Sequence, residues 1–318
     1  MRIKIIFVFA LILCISCKPV KVQVKPLPQL QKEFLGLKFG MFLHFNLATY
    51  HNVDWALGTE DPLIFKPSSL DCNQWAQVAK DANIGYAVLT VKHTEGFALW
   101  PSKYTAYNIQ AARNFRGGKG DLVKEFTDAF RKQNIKVGLY YCFPNNFGSD
   151  LHGLPKEAQD DYVTFIKNQL TELLTNYGDI LLVWCDQYSN KYTGDRWKEI
   201  YQHIKTLQPN CLVIANNSLD FSETDIHSYE YPWLLSAGKQ AYPIADNKDA
   251  AEVCDCSENA WFWKKNCALN ESIDVKKERL KMITQRNSNY LLNTGPDTTG
   301  LIRSETADLF KEIGRVLK

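Results

Sequence analysis

The chain has 318 residues, 45% hydrophobic and 23% charged, a balance that excludes a disordered or fibrous polymer. Its 37 basic and 35 acidic side chains leave a formal charge of +2, which gives no electrostatic case for a nucleic-acid partner. The length suits one large α/β barrel or two small domains, and the 15 Tyr, 17 Phe and 8 Trp suit sugar faces, although most such rings build cores.

In chain order, Arg2 and Lys4 precede an apolar run over residues 5–15, and Ser16 and Cys17 follow. A basic start, a short apolar stretch and a small-residue cleavage site read as an export signal. The run is too short for a membrane span of about 20 residues. Cleavage after Ser16 removes Arg2 and Lys4 and leaves basic and acidic side chains equal in number. Residues 13–17 resemble a bacterial lipoprotein signal with Cys17 as the lipidated residue, which implies a periplasmic or cell-surface protein held to the membrane through lipid alone. The expected organisation is a signal peptide over 1–16, a lipidated cysteine and extended tether over 17–30, and a barrel over 31–318.

Short apolar, β-branched or aromatic runs then recur at 39–45, 86–93, 136–143, 180–186, 211–217, 226–231 and 289–295. Helix-period segments lie at 73–83, 121–134, 157–177, 195–207, 272–286 and 304–317. Strand followed by helix, repeated, predicts a parallel sheet. Asp121 and Ser304 stand where helix caps are wanted. Seven clear strands and one of two candidates, 251–256 or 260–263, predict an eight-stranded (β/α)8 TIM barrel of class α/β. No glycine-rich dinucleotide fingerprint follows the first strand.

Active sites of this fold gather at the C-terminal ends of the strands. Those ends carry His44, His93, Asp186, Asn217 and Glu230. Asp186 closes the run Ile-Leu-Leu-Val-Trp-Cys; if it faces the lumen, strand alternation turns Trp184 inward and Cys185 outward. A carboxylate paired with a carboxylic acid is the equipment of glycoside hydrolysis, and a retaining enzyme needs the pair about 5–5.5 Å apart. Glu230 and Glu252 are the candidate partners, with Glu223 and Glu258 behind them. Cys142, Cys185, Cys211, Cys254 and Cys256 lack zinc-site or disulfide-framework spacing and read as buried thiols. Cys254 and Cys256 share one side of a strand, which leaves metal or redox use open.

The blocks FGMFLHF, YAVLTVKHTEGFALWPSKYTAYNI, DLVKEF, VGLYY, LLVWCD, AEVCDC…WFW and NYLLNTGPDTTGLI resemble, in order, those of the α-L-fucosidases of glycoside hydrolase family 29. The resemblance implies a retaining exo-α-L-fucosidase acting on fucosylated oligosaccharides or glycoconjugates, with no metal and no organic cofactor. By position, Asp186 matches the nucleophile, His44 and His93 match histidines that bond fucose hydroxyls, and Asp54-Trp55 matches a Glu-Trp pair of similar role. Trp184 matches a pocket aromatic, and Trp261 or Trp263 falls where an aromatic faces the fucose methyl group. Tyr141 is a further candidate pocket residue. One branch of the family favours Glu252 as acid/base, which strand-end geometry allows if the seventh strand is 260–263; Glu230 is then a substrate contact. Thr94 replaces a second histidine, Glu95 an aspartate, and Cys-Asp-Gln-Tyr the commoner Phe-Asp-Gly. These departures motivate two other readings, a non-catalytic fucose-binding surface lipoprotein and a related retaining glycosidase such as an α-L-galactosidase.

Overall fold

The computed structural model describes residues 23–143, 162–186, 193–216 and 219–318. The leader with Cys17, the loop after Asp186, and Asn217 lie outside them. Eight strands form one parallel sheet: β1 (Phe39–Leu43), β2 (Tyr86–Lys92), β3 (Lys136–Cys142), β4 (Leu182–Asp186), β5 (Leu212–Asn216), β6 (His227–Glu230), β7 (Ala251–Cys256) and β8 (Ser288–Thr294). Their order is β5-β4-β3-β2-β1-β8-β7-β6, so β1 pairs with β8 and the sheet curls into a (β/α)8 barrel. Between β5 and β6 side chains stitch the wall: Val213 N donates to Asp225 Oδ2 (2.8 Å) and Ala215 N to Thr224 Oγ1 (3.0 Å).

The strands are buried on both faces, which is why they read as continuous apolar runs. Outward side chains such as Met41, Leu89, Leu139 and Val183 pack under the helices, while Phe42, Tyr86, Tyr140, Trp184, Cys254 and Leu291 fill the lumen. The helices are α1 (Leu27–Leu35), α2 (Leu47–His51), α3 (Cys72–Asp81), α4 (Leu122–Lys132), α5 (Tyr162–Asn176), α6 (Asp195–Leu207), α7 (Tyr231–Ser236), α8 (Ile273–Gln285) and α9 (Ser304–Gly314). Helix α1 closes the base of the barrel with Leu30 and Phe34; the Phe34 ring meets Tyr86 edge-on at 5.3 Å. A Cβ on Gly40 would lie 2.4 Å from the Tyr86 ring, so only glycine lets that tyrosine lie across the lumen.

Asp121 caps α4 by accepting from Lys124 N at 2.9 Å, as expected. Ser304 does not cap α9: it is the first helical residue, and the flanking Arg303 turns its guanidinium to Glu258 instead. The choice for the remaining strand resolves as Ala251–Cys256, and residues 260–263 curve across the mouth without joining the sheet. Trp184 points inward and Cys185 outward, in line with strand alternation. The seven described cysteines are buried, and no cluster of potential metal ligands occurs among the described residues.

Candidate active site

Asp186, Asn216 and Glu230 are the last residues of β4, β5 and β6, and Asp186 is level with Asn216 in the ladder. The Asn216 amide donates to Asp186 Oδ1 and to Glu230 Oε2, each at 2.9 Å. The two carboxyl oxygens therefore lie no farther apart than those two bonds laid end to end, close to the separation a retaining pair needs. Tyr140 completes the setting of Asp186 by donating its hydroxyl to Oδ2 at 2.5 Å. The Glu230 carboxyl is pushed up to about 7, first by burial and then by the neighbouring charge of Asp186, against the opposing pull of the Asn216 amide. A proton retained on one of two close carboxyl groups is the arrangement that separates acid from nucleophile.

The wall beside this pair is aromatic. Tyr140 is stacked between Trp184 (5.4 Å) and His93 (5.6 Å), both at 21°. His44 packs against Phe42, Trp261 and Phe262 at 4.6, 5.1 and 5.2 Å. The tautomer of His44 follows from its bonds. Asn293 Nδ2 donates to the Trp261 carbonyl (2.7 Å), which places the amide oxygen at His44 Nδ1 (2.6 Å). Nδ1 thus carries the proton, and Nε2 presents a lone pair that can accept a sugar hydroxyl. Burial drives His44 well below its ordinary value, helped by His93, and takes His93 down to about 3, so both rings are neutral at physiological pH.

Several expected positions move. Glu252 was expected in a loop on the catalytic face; it is instead the second residue of β7, level with Ser228 and two residues below the Glu230 level, because the strand runs over 251–256. Its side chain is completely buried in the lumen and accepts from Tyr86 Oη (2.5 Å) and Trp184 Nε1 (3.0 Å). Burial also raises its carboxyl to about 7, against the pull of those two donors. Tyr141 does not line the pocket: alternation points it to the helices, where it donates to Gln169 Oε1 and receives Lys92 Nζ, and Tyr140 is the inward ring.

Asp54, expected on a sugar hydroxyl, is engaged otherwise. It accepts from the backbone amides of Trp261 (2.9 Å) and Phe262 (3.1 Å) and from Lys264 Nζ, and so anchors the loop that carries Trp261. Trp55 stands 63% exposed at the rim. Thr94, in place of a histidine, sets its hydroxyl 3.3 Å from His93 Nδ1. Glu258 binds Arg303 and Thr306 away from the pair. Tyr140, Asn216 and Asn293 are site residues that sequence reasoning missed. Tyr140 had a signal, since it shares its lumen-facing level with Trp184, whereas the two asparagines carried none beyond lying on apolar strands.

The sequence profile of the Alpha-L-fucosidase family matches residues 62–318. Alpha-L-fucosidase 1 of Arabidopsis thaliana is 30% identical over 325 residues, spanning 94% of this chain and 62% of that protein. The chain thus spans less than two thirds of the length of that relative. Among solved structures, a glycoside hydrolase 29 family member from an unknown rumen bacterium superposes with a TM-score of 0.75 at 28% identity, over 90% of this chain and 56% of the other. Alpha-L-fucosidase isoenzyme 1 from Paenibacillus thiaminolyticus gives 0.73 at 26%, over 91% and 75%.

Proposed function

The chain belongs to the alpha-L-fucosidase family, and on that premise we propose that it removes terminal α-L-fucosyl residues by double displacement, with Asp186 as nucleophile and Glu230 as acid/base. One observation carries this pairing: a single Asn216 amide donates to both carboxyl groups at 2.9 Å. Asp186 attacks the anomeric carbon as Glu230 delivers its proton to the departing glycosidic oxygen. The fucosyl ester then breaks when Glu230, now a carboxylate, takes a proton from the water that attacks the same carbon from the face the leaving group vacated. Configuration is retained. Tyr140 and Asn216 each donate to Asp186 and aim its oxygens before substrate arrives, while His44 Nε2 accepts a sugar hydroxyl. Among the acids considered, Glu230 shares a donor with Asp186, whereas Glu252 has both oxygens filled from within the lumen. Export and lipid attachment at Cys17 are part of the same proposal and rest on the leader sequence; loss of membrane association in Cys17→Ser tests them.

Azide separates the two roles. An Asp186→Ala variant is expected to lose on the order of 10⁴-fold in kcat on an aryl α-L-fucoside. Azide then attacks C1 directly, expelling the aryloxide and giving the β-fucosyl azide. In Glu230→Ala an activated leaving group still forms the ester, and azide, which needs no base, displaces Asp186 from C1 to give the α-fucosyl azide. Unchanged hydrolysis by Asp186→Ala, or no azide product from Glu230→Ala, overturns the assignment.

A further inference from the structure

We propose that Glu252 is a positioning residue for this site and acts through Trp184: its carboxyl group holds the indole N–H and so fixes the ring on which Tyr140, the hydroxyl donor to Asp186, is stacked. The inference rests on the reading of Asp186 as nucleophile. Three contacts form the chain, from Glu252 to Trp184 Nε1 (3.0 Å), from Trp184 to Tyr140 as stacked rings (5.4 Å), and from Tyr140 Oη to Asp186 Oδ2 (2.5 Å). The lower end is anchored, because Tyr86 fills the other Glu252 oxygen and is itself packed against Phe34 of the basal helix.

The surroundings explain why an acid is kept where an apolar side chain would be easier to bury. Ser228 and Asn289 are level with Glu252, and Phe42, Ile214, Leu212, Cys254 and Leu291 belong to the apolar cluster that fills the lumen with Trp184. An indole N–H without an acceptor there costs about 1–3 kcal/mol, so a Trp184 that lost Glu252 would turn its ring to find one. Rotation of the indole would break the stack on Tyr140 and move the hydroxyl that aims Asp186. Catalysis is sensitive to such shifts, since a nucleophile displaced by about 1 Å loses on the order of 10²-fold in rate.

A double-mutant cycle on an aryl α-L-fucoside tests the proposal. Glu252→Met is expected to lower kcat ~30-fold with KM changed less than ~3-fold, because aim rather than affinity is lost. Glu252→Gln, which keeps an acceptor for the indole, restores kcat to within ~3-fold of the unmodified enzyme. With Trp184→Phe already present, Glu252→Met costs no more than ~2-fold further, and azide accelerates neither Glu252 variant. If Glu252→Met does not fold, Tyr86→Phe replaces it, with a ~5-fold loss that vanishes beside Trp184→Phe. Equal losses in both backgrounds would reduce Glu252 to packing and overturn the proposal. So would a Glu252→Gln variant as inactive as Glu252→Met and rescued by azide, which would make Glu252 the acid/base. An unmodified enzyme that cleaves no fucoside refutes the parent reading, and this proposal, which rests on it, falls with it.

Discussion

Two glutamates sit one lumen layer apart in this barrel, and they differ in almost nothing that a survey of side chains would notice. Glu230 and Glu252 lie on neighbouring strands, and burial raises each to about 7. The partners separate them. Glu230 ends its strand and shares an amide with Asp186; Glu252 is the second residue of its strand and takes both its bonds, from Tyr86 and Trp184, inside the lumen. A raised carboxyl is therefore weak evidence of a proton donor by itself. It gains meaning from what the proton can reach: C-terminal strand ends open on the substrate face, and positions one layer down hold the scaffold.

The largest effect expected to sharpen this contrast is in the pH profile. As the proposed acid, Glu230 has to carry its proton for the first step, so kcat/KM should fall as pH rises through about 7. Glu230→Gln should lower kcat/KM by ~10²–10⁴-fold on a poor leaving group and abolish that alkaline limb. Glu252→Gln should leave the limb in place. Measured profiles in which the limb survives Glu230→Gln and disappears in Glu252→Gln would reverse the two roles.

A smaller effect isolates the amide that links the pair. Asn216 stabilises the charged form of Glu230, and its loss should raise that carboxyl further. Asn216→Ala is expected to move the alkaline limb to higher pH and to lower kcat by ~10-fold, since Asp186 also loses a donor. A limb that stays in place while kcat falls would mean that Asn216 positions Asp186 alone.

The same contrast shows what the sequence made legible. Each barrel strand is an apolar run because both of its faces are buried, so the repeat of strands and helices was readable without coordinates. Asp186 and Glu230 were visible because a charged residue closing such a run has few places to point. Glu252 was misplaced because 251–256 and 260–263 both qualify as a short strand, and only the pairing of Glu252 with Ser228 and Asn289 fixes its depth. Tyr140 and Tyr141 are neighbours with identical side chains, so their roles depend on strand phase, which the inward Trp184 could have supplied. Asn216 and Asn293 act through partners 14 to 249 residues away in sequence, a relation that local pattern does not encode.

The smallest expected effect concerns stability, and it tests whether Glu252 is a charge the fold tolerates. Its folded carboxyl is raised from 4.5 to about 7. Below pH 4.5 both folded and unfolded chains hold the proton and the group costs nothing. Between 4.5 and 7 the unfolded chain releases its proton while the folded chain keeps it, so stability falls as pH rises, and above 7 the full cost is present. A difference of that size corresponds to about 3 kcal/mol, of which Gln, with comparable hydrogen bonding, should recover part. Glu252→Gln should therefore leave Tm nearly unchanged at pH 4.5 and raise it by a few degrees at pH 8. Asp255, on the outer face of the same strand, sets the counterexample. It is buried among Lys276, Arg279 and the Tyr290 hydroxyl, so Asp255→Asn removes a charge with opposite partners and should lower Tm at both pH values. A Glu252→Gln Tm that tracks that of the parent at every pH would show that Glu252 is not charged at pH 8, and its role would then be that of a neutral acceptor for Trp184.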